Sequence, residues 1–167
     1  AIVVYSDKNG KKIALSYNLF SKNKDIIPTK IPDIKIKWVS KDNVSIETRP
    51  SGIASGIVYL LNIKTKKLTR LIGSTNGITT NFSPTGEKIL VSKTDTGGRN
   101  LKISVIDAIK KTEKNINLNT LPEKCVWTQD ERVILCSVFT IEDLDDFIMP
   151  DDYYKRKVRS NGEEIIR

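Results

Sequence analysis

The sequence predicts an all-β chain of four-stranded antiparallel sheets, on the strength of two repeating markers and the turn chemistry between them. The first marker is aromatic: Trp38, Phe82 and Trp127 lie 44 and 45 residues apart. Each is followed by a hydroxyl-bearing or small residue, a polar turn and an apolar strand, over 37–44, 81–88 and 126–133. The second marker keeps step with it. Asn18, Asn62 and Asp107 each close an apolar strand, again 44 and 45 apart. Helical periodicity is absent throughout.

Alternation and turn residues place the strands of the second period near 34–40, 44–48, 57–63 and 68–72. Those of the third period fall near 78–83, 89–93, 101–106 and 115–118. Ser83-Pro84-Thr85-Gly86 is a hairpin turn, because proline presets φ and glycine supplies the positive φ that lets the chain close. Asp7-Lys8-Asn9-Gly10 carries the same signal. Four short strands per period, joined by hairpin-length links, make one blade of a β-propeller.

Residues 1–6 fit a second strand, so the first blade reads as partial over 1–33. Full blades follow over 34–77 and 78–121, and a partial one over 122–167 contains a long loop at 139–162. About three and a half blades compare with four to eight in closed propellers. The expectation is a segment of a larger propeller, or a chain that missing blades or a partner must close.

The 28 basic and 20 acidic side chains give a formal net charge of +8. Most bases are lysines scattered through turns, among them Lys8, Lys64, Lys66, Lys110 and Lys111, which is how exposed β edges are kept from pairing. They form no stripe and no aromatics interleave with them, which points away from nucleic acid. No apolar run approaches the roughly 18 residues that cross a bilayer. The chain has no histidine, so the commonest general base and metal ligand are missing and no Ser-His-Asp triad can form. No cofactor or metal is expected.

Cys125 and Cys136 flank the turn around Asp130-Glu131. A two-residue loop makes them face each other within disulfide reach. Two small buried thiols are the other reading, and a register slip of one residue would part the pair.

The loop at 139–162 is long for a compact domain, where such loops carry function or are disordered. Its first half holds Glu142, Asp143, Asp145, Asp146, Asp151 and Asp152; its second holds Tyr153, Tyr154, Lys155, Arg156, Lys157 and Arg159. Calcium is disfavoured, because the glycine and distal glutamate of a loop site are lacking. A general acid and base pair drawn from Asp145, Asp146, Asp151 and Asp152 would make a carboxylate-based glycan hydrolase or lyase. The plainer expectation is an acidic half folded on the basic half or a lysine-rich neighbour, pinned by Phe147, Ile148 and Met149. Propeller topology gathers 50–55, 94–99 and this loop on one face, with 73–77 and 119–123 beside them. Arg49, Arg99, Asp145, Asp151, Tyr153, Tyr154 and Arg156 are the candidate binding residues there, several of them of the types that dominate hot spots. Asn43-Val44-Ser45 and Asn81-Phe82-Ser83 match the glycosylation pattern, which is short enough to arise by chance.

Phe82-Ser83-Pro84-Thr85-Gly86-Glu87-Lys88-Ile89-Leu90 resembles the Ser-Pro-Asp-Gly-Lys turn of bacterial TolB-type, WD-repeat-like propeller repeats. Asn62-Ile63-Lys64-Thr65-Lys66 resembles the turn after their third strand, where glycine more often stands at the place of Lys66. The stretches 120–127 and 150–154 are similar to uncharacterised propeller proteins of small-genome bacteria. The resemblance implies a protein working outside the cytoplasm, in the periplasm or at the cell surface, tethered by a part not seen here. With it, the residues point to a non-catalytic binding or scaffold propeller whose loop face takes a protein or cell-envelope polymer partner.

Overall fold

The computed structural model describes residues 34–140 and 144–158, and the backbone alone of β1 (Ile2–Ser6), β2 (Lys12–Tyr17), β3 (Lys24–Ile27) and β13 (Glu163–Ile166). Between them run β4 (Ile34–Ser40), β5 (Asn43–Thr48), β6 (Gly56–Asn62), β7 (Leu68–Phe82) and β8 (Lys88–Thr94). β9 (Lys102–Asp107), β10 (Thr112–Ile116), β11 (Cys125–Trp127) and β12 (Ile134–Phe139) follow. Strands pair with their sequence neighbours, in the orders β1-β2-β3, β10-β9-β8-β7-β6-β5-β4 and β11-β12-β13. Such a meander needs only short links, which the turn-rich sequence provides.

The chain divides into two compact units, Ala1–Arg49 with Val58–Leu71, and Pro50–Ile57 with Ile72–Arg167. In the first unit Ile34, Val44, Ile46 and Leu61 form a buried cluster. β5 is buried on both faces, so Glu47 lies inside, where the Lys37 ammonium (3.1 Å) and the Ser45 hydroxyl (2.9 Å) satisfy its carboxylate. In the second unit β8 is the doubly buried strand, and Leu90 joins Ile103, Cys125, Cys136 and Val138 in one cluster. The one polar residue of that buried run, Ser92, pairs its hydroxyl with Thr79 at 2.8 Å. Cys125 stands directly opposite Cys136 in the β11–β12 register, and a disulfide joins them.

The sequence markers acquire physical reasons. Trp38, Phe82 and Trp127 stand at or within two residues of the end of the first strand of a hairpin, paired with Val44, Ile89 and Ile134. Asn62 Oδ1 accepts the N–H groups of Lys64 (3.1 Å) and Thr65 (2.9 Å), and Asp107 Oδ1 those of Ile109 (3.0 Å) and Lys110 (2.8 Å). A carboxamide or carboxylate is needed there because the turn leaves those donors without strand partners. Lys66 and Lys111, four residues on, both take positive φ, 60° and 55°. In the other turn type, Gly86 has φ 79° and Glu131, in the equivalent place, φ 55°. Glu131 tolerates this while its carboxylate accepts the N–H of Thr85 at 2.5 Å, tying the two turns together.

Two expectations require correction. Strands expected at 68–72 and 78–83, with a link at 73–77, are one strand, β7, whose pairing with β8 shifts register between Asn76 and Thr79, where Gly77 has φ 67°. A single positive φ turns the chain there without ending its extended run. The last strand of the third period is β10 at Thr112–Ile116, not 115–118, because the tight Asp107 turn returns the chain earlier. Short helical turns accompany the strands, 3-10 helix at Pro122–Lys124 and Leu144–Asp146 and α1 (Asp151–Tyr154), all too short to give the sequence a helical period.

Lys111 is exposed and holds a left-handed conformation that disfavours any side chain. Lys111→Gly should raise stability by about 0.5–1 kcal/mol, the relief of that strain less the added freedom of the unfolded chain. Urea unfolding of the two proteins measures it, and a loss of stability would contradict the turn assignment.

Candidate functional site

The second unit brings the 50–57, 94–100 and 144–158 segments together by backbone contact. A Cβ on Gly52 would lie 2.3 Å from the Met149 carbonyl oxygen and 2.6 Å from Gly98 Cα. Gly98, at φ 76°, would place its own Cβ 2.6 Å from the Ile148 side chain. Only glycine lets three main chains cross so closely. The Met149 N–H donates to the Gly98 carbonyl at 2.8 Å, and the Gly77 N–H to that of Ser51 at 2.7 Å. Buried Asn76 spans the crossing: its Nδ2 donates to the Gly52 carbonyl (2.8 Å) and its Oδ1 accepts the Ser55 hydroxyl (2.8 Å).

The acidic half of the long loop is held chiefly by N–H groups. Asp151 Oδ2 accepts the Gly52 N–H at 2.6 Å and its Oδ1 the Ser51 hydroxyl at 3.2 Å. Asp145 Oδ1 accepts the Asn100 N–H at 2.8 Å, and the Arg99 guanidinium donates to the Asp145 carbonyl. Asp152 Oδ2 accepts the Ile148 N–H at 2.9 Å, and its Oδ1 meets Lys157 Nζ at 3.0 Å. Among the described residues one ion pair therefore joins the acidic half to the basic half, while backbone donors take Asp145 and Asp151. Asp95 turns its own loop in the same way, accepting the N–H groups of Gly97 and Arg99 at 2.9 Å. The Ile148 N–H holds the Asp152 carboxyl below its ordinary 3.8 against the opposing effect of burial, with Lys157 assisting.

Met149 is 1% exposed and packs with Leu121, Phe139 and Leu144; Phe147 and Tyr153 pack at the edge of that cluster. The Tyr153 ring meets Phe139 edge-on at 5.7 Å, and Lys124 Nζ lies 4.9 Å above the Phe139 ring. Tyr154 is 43% exposed, and its hydroxyl donates to Glu123 at 3.0 Å.

Of the candidate binding residues, Arg99, Asp145 and Asp151 are thus anchors within the crossing and Tyr153 is a packing residue. Tyr154 and Arg156, the latter at φ 58°, are exposed beside it. Arg49 is exposed at the end of β5 in the first unit. Glu142, Asp143 and Arg159 lie outside the described residues. Among the described residues no group of three acidic or cysteine side chains could hold a metal ion. Asn43 and Asn81, the glycosylation candidates, use their amides internally, on Ser40 Oγ at 2.9 Å and on the Pro122 carbonyl at 3.0 Å. Gly52, Gly98 and Asn76 went unsingled at the level of sequence. The glycines were the available signal, but Gly97-Gly98 reads equally well as a plain hairpin tip.

Two outcomes follow from this geometry. Asp151→Ala leaves the buried Gly52 N–H without its acceptor and should cost about 1–3 kcal/mol, with faster amide exchange at Gly52; Asp151→Asn, which keeps an oxygen there, should cost less. Unchanged exchange at Gly52 in the alanine variant would contradict the anchor. Because the Asp152 carboxyl is depressed in the fold, its contribution is complete above 3.8 and fades as pH falls through the lower folded value. Exchange at the Ile148 amide should quicken in that acidic window, and Asp152→Asn should flatten the dependence.

Neither a family model nor a curated protein sequence matches the chain. Solved structures do. TolB from Acinetobacter baumannii superposes with a TM-score of 0.61 at 15% identity, over 98% of this chain and 37% of that one. An uncharacterised protein of Listeria monocytogenes gives 0.58 at 15%, over 85% and 43%. The β-propeller domain of the trilobed protease from Pyrococcus furiosus, described as having an open velcro topology, gives 0.57 at 12%, over 87% and 46%. The chain spans less than half the length of each. At these identities the likeness concerns fold, and the fold is a β-propeller similar to that of TolB.

Proposed function

We propose that this chain is part of a non-catalytic binding or scaffold propeller, working outside the cytoplasm, whose loop face engages a protein or cell-envelope polymer. The observation that carries the reading is the construction of the long loop. Asp145 and Asp151 are committed to backbone donors of neighbouring loops and Asp152 to one within the loop itself, so the loop forms a built part of the face, presenting Tyr154 and Arg156 outward. Tyrosine and arginine on a preorganised support contribute affinity at low ordering cost.

The alternative, a glycan hydrolase or lyase using Asp145, Asp146, Asp151 or Asp152, fits less well. Asp145, Asp151 and Asp152 each hold a backbone N–H, and the Asp152 proton affinity is lowered, opposite to what a general acid requires. The bonded Cys125–Cys136 pair suits an oxidising compartment. Among the described residues no helix is long and apolar enough to cross a membrane.

The test is capture from an envelope fraction by the chain and by a Tyr154→Ala/Arg156→Gly variant, glycine being compatible with the positive φ at 156. Partners held by this face should be lost about tenfold or more in the variant. Undiminished capture of every partner would overturn the reading.

A further inference from the structure

A cleft of about 300 Å³ opens in the second unit between the start of β9, the chain just after β10 and the turn at Leu144–Asp146. Its polar lining is Asn100, Lys102, Asn117, Asn119 and Asp145, with Leu101 and Leu144 as the apolar remainder. We propose that this cleft binds a saccharide carrying a carboxylate, such as a uronic-acid unit of a glycan. The proposal rests on the binding reading above in placing a ligand on the loop face, and it names the chemistry of that ligand.

The polar groups are arranged for use rather than spent on the fold. The β9–β10 register ends at the Ile116↔Ile103 pair, which puts Lys102 and Asn117 at the same end of the ladder. Asn119 follows two residues on, and all three are exposed. Among the described residues nothing bonds the Lys102 ammonium or the carboxamides of Asn117 and Asn119. Two anchors set the opposite wall. Asp145 gives Oδ1 to the Asn100 N–H and keeps Oδ2, while Asn100 gives Nδ2 to Asp95 and keeps its carbonyl oxygen.

The inventory is therefore two complete carboxamides, one carboxylate oxygen, one amide oxygen and one ammonium. Closely spaced hydroxyls, each donor and acceptor, match the carboxamides and the two oxygens. The ammonium is left for an anionic substituent, to which the formal net charge of +8 also draws the ligand. Other ligand classes fit poorly. An apolar molecule meets only two leucines, a nucleobase finds no ring to stack on, and a phosphate dianion would face Asp145 with one ammonium in support. A volume at the low end for ligand pockets suits one or two sugar units.

The test is an NMR titration of the chain with digalacturonate, with maltose as a neutral sugar and tetraglutamate as an acidic peptide. Digalacturonate should shift the side-chain amide signals of Asn117 and Asn119 saturably, and maltose more weakly. Lys102→Ala should weaken digalacturonate about tenfold or more, as for a lost charged hydrogen bond. Lys114→Ala, which removes the same charge from β10 outside the cleft, should leave it unchanged. Unmoved Asn117 and Asn119 amides, equal weakening by both lysine variants, or equal shifts with tetraglutamate would each overturn the proposal. If those amides stay unmoved while the Tyr154→Ala/Arg156→Gly variant still loses its partners, the cleft assignment fails and the loop-face reading stands.

Discussion

The crossing of three main chains at Gly52, Gly98 and Met149 is the constraint on which the candidate face depends. Side chains normally keep backbone segments well apart; here two glycines remove that separation. Once the chains are close, their N–H and C=O groups lose access to water and must find partners locally. The Met149 N–H bonds the Gly98 carbonyl, and Asn76 and Asp151 serve the two polar groups of Gly52. A loop otherwise long enough to wander is thereby held at several points along its described length.

That arrangement also explains the use of charge. In a basic chain, an acidic segment is expected to seek ammonium groups. Yet Asp145, Asp151 and Asp152 each accept an N–H within the unit, and only Asp152 also takes a lysine. A lysine on a flexible stem gives up rotamer freedom to form an exposed pair of small net value. A backbone N–H is already fixed, and leaving it buried without a partner is expensive. The carboxylates accordingly go where the unpaired donors are. The same economy recurs in the hairpins, where Asn62 and Asp107 cap turns and Glu131 reaches the N–H of Thr85.

Local chemistry made much of the fold legible. Alternation located β4, β5, β6, β8 and β9 to within a residue or two, and the 45-residue spacing of Asn62 and Asp107 reflects a turn that needs a side-chain oxygen at each. It erred where two local rules competed. Gly73 and Gly77 mark a break by composition, but the pairing partners on both sides keep the chain extended through β7. Helical turns of three or four residues carry too few side chains for their period to show.

By itself, then, the sequence determined the strand meander, the hairpin turns and the near approach of Cys125 to Cys136, because each depends on residues a few positions apart. The tertiary structure decided which carboxylates serve as anchors, which aromatic rings are buried and where a polar cleft opens. Those outcomes turn on donors such as the Gly52 N–H, ninety-nine residues from Asp151 along the chain. Contacts of that span leave no periodic trace, since nothing local in either segment names its partner.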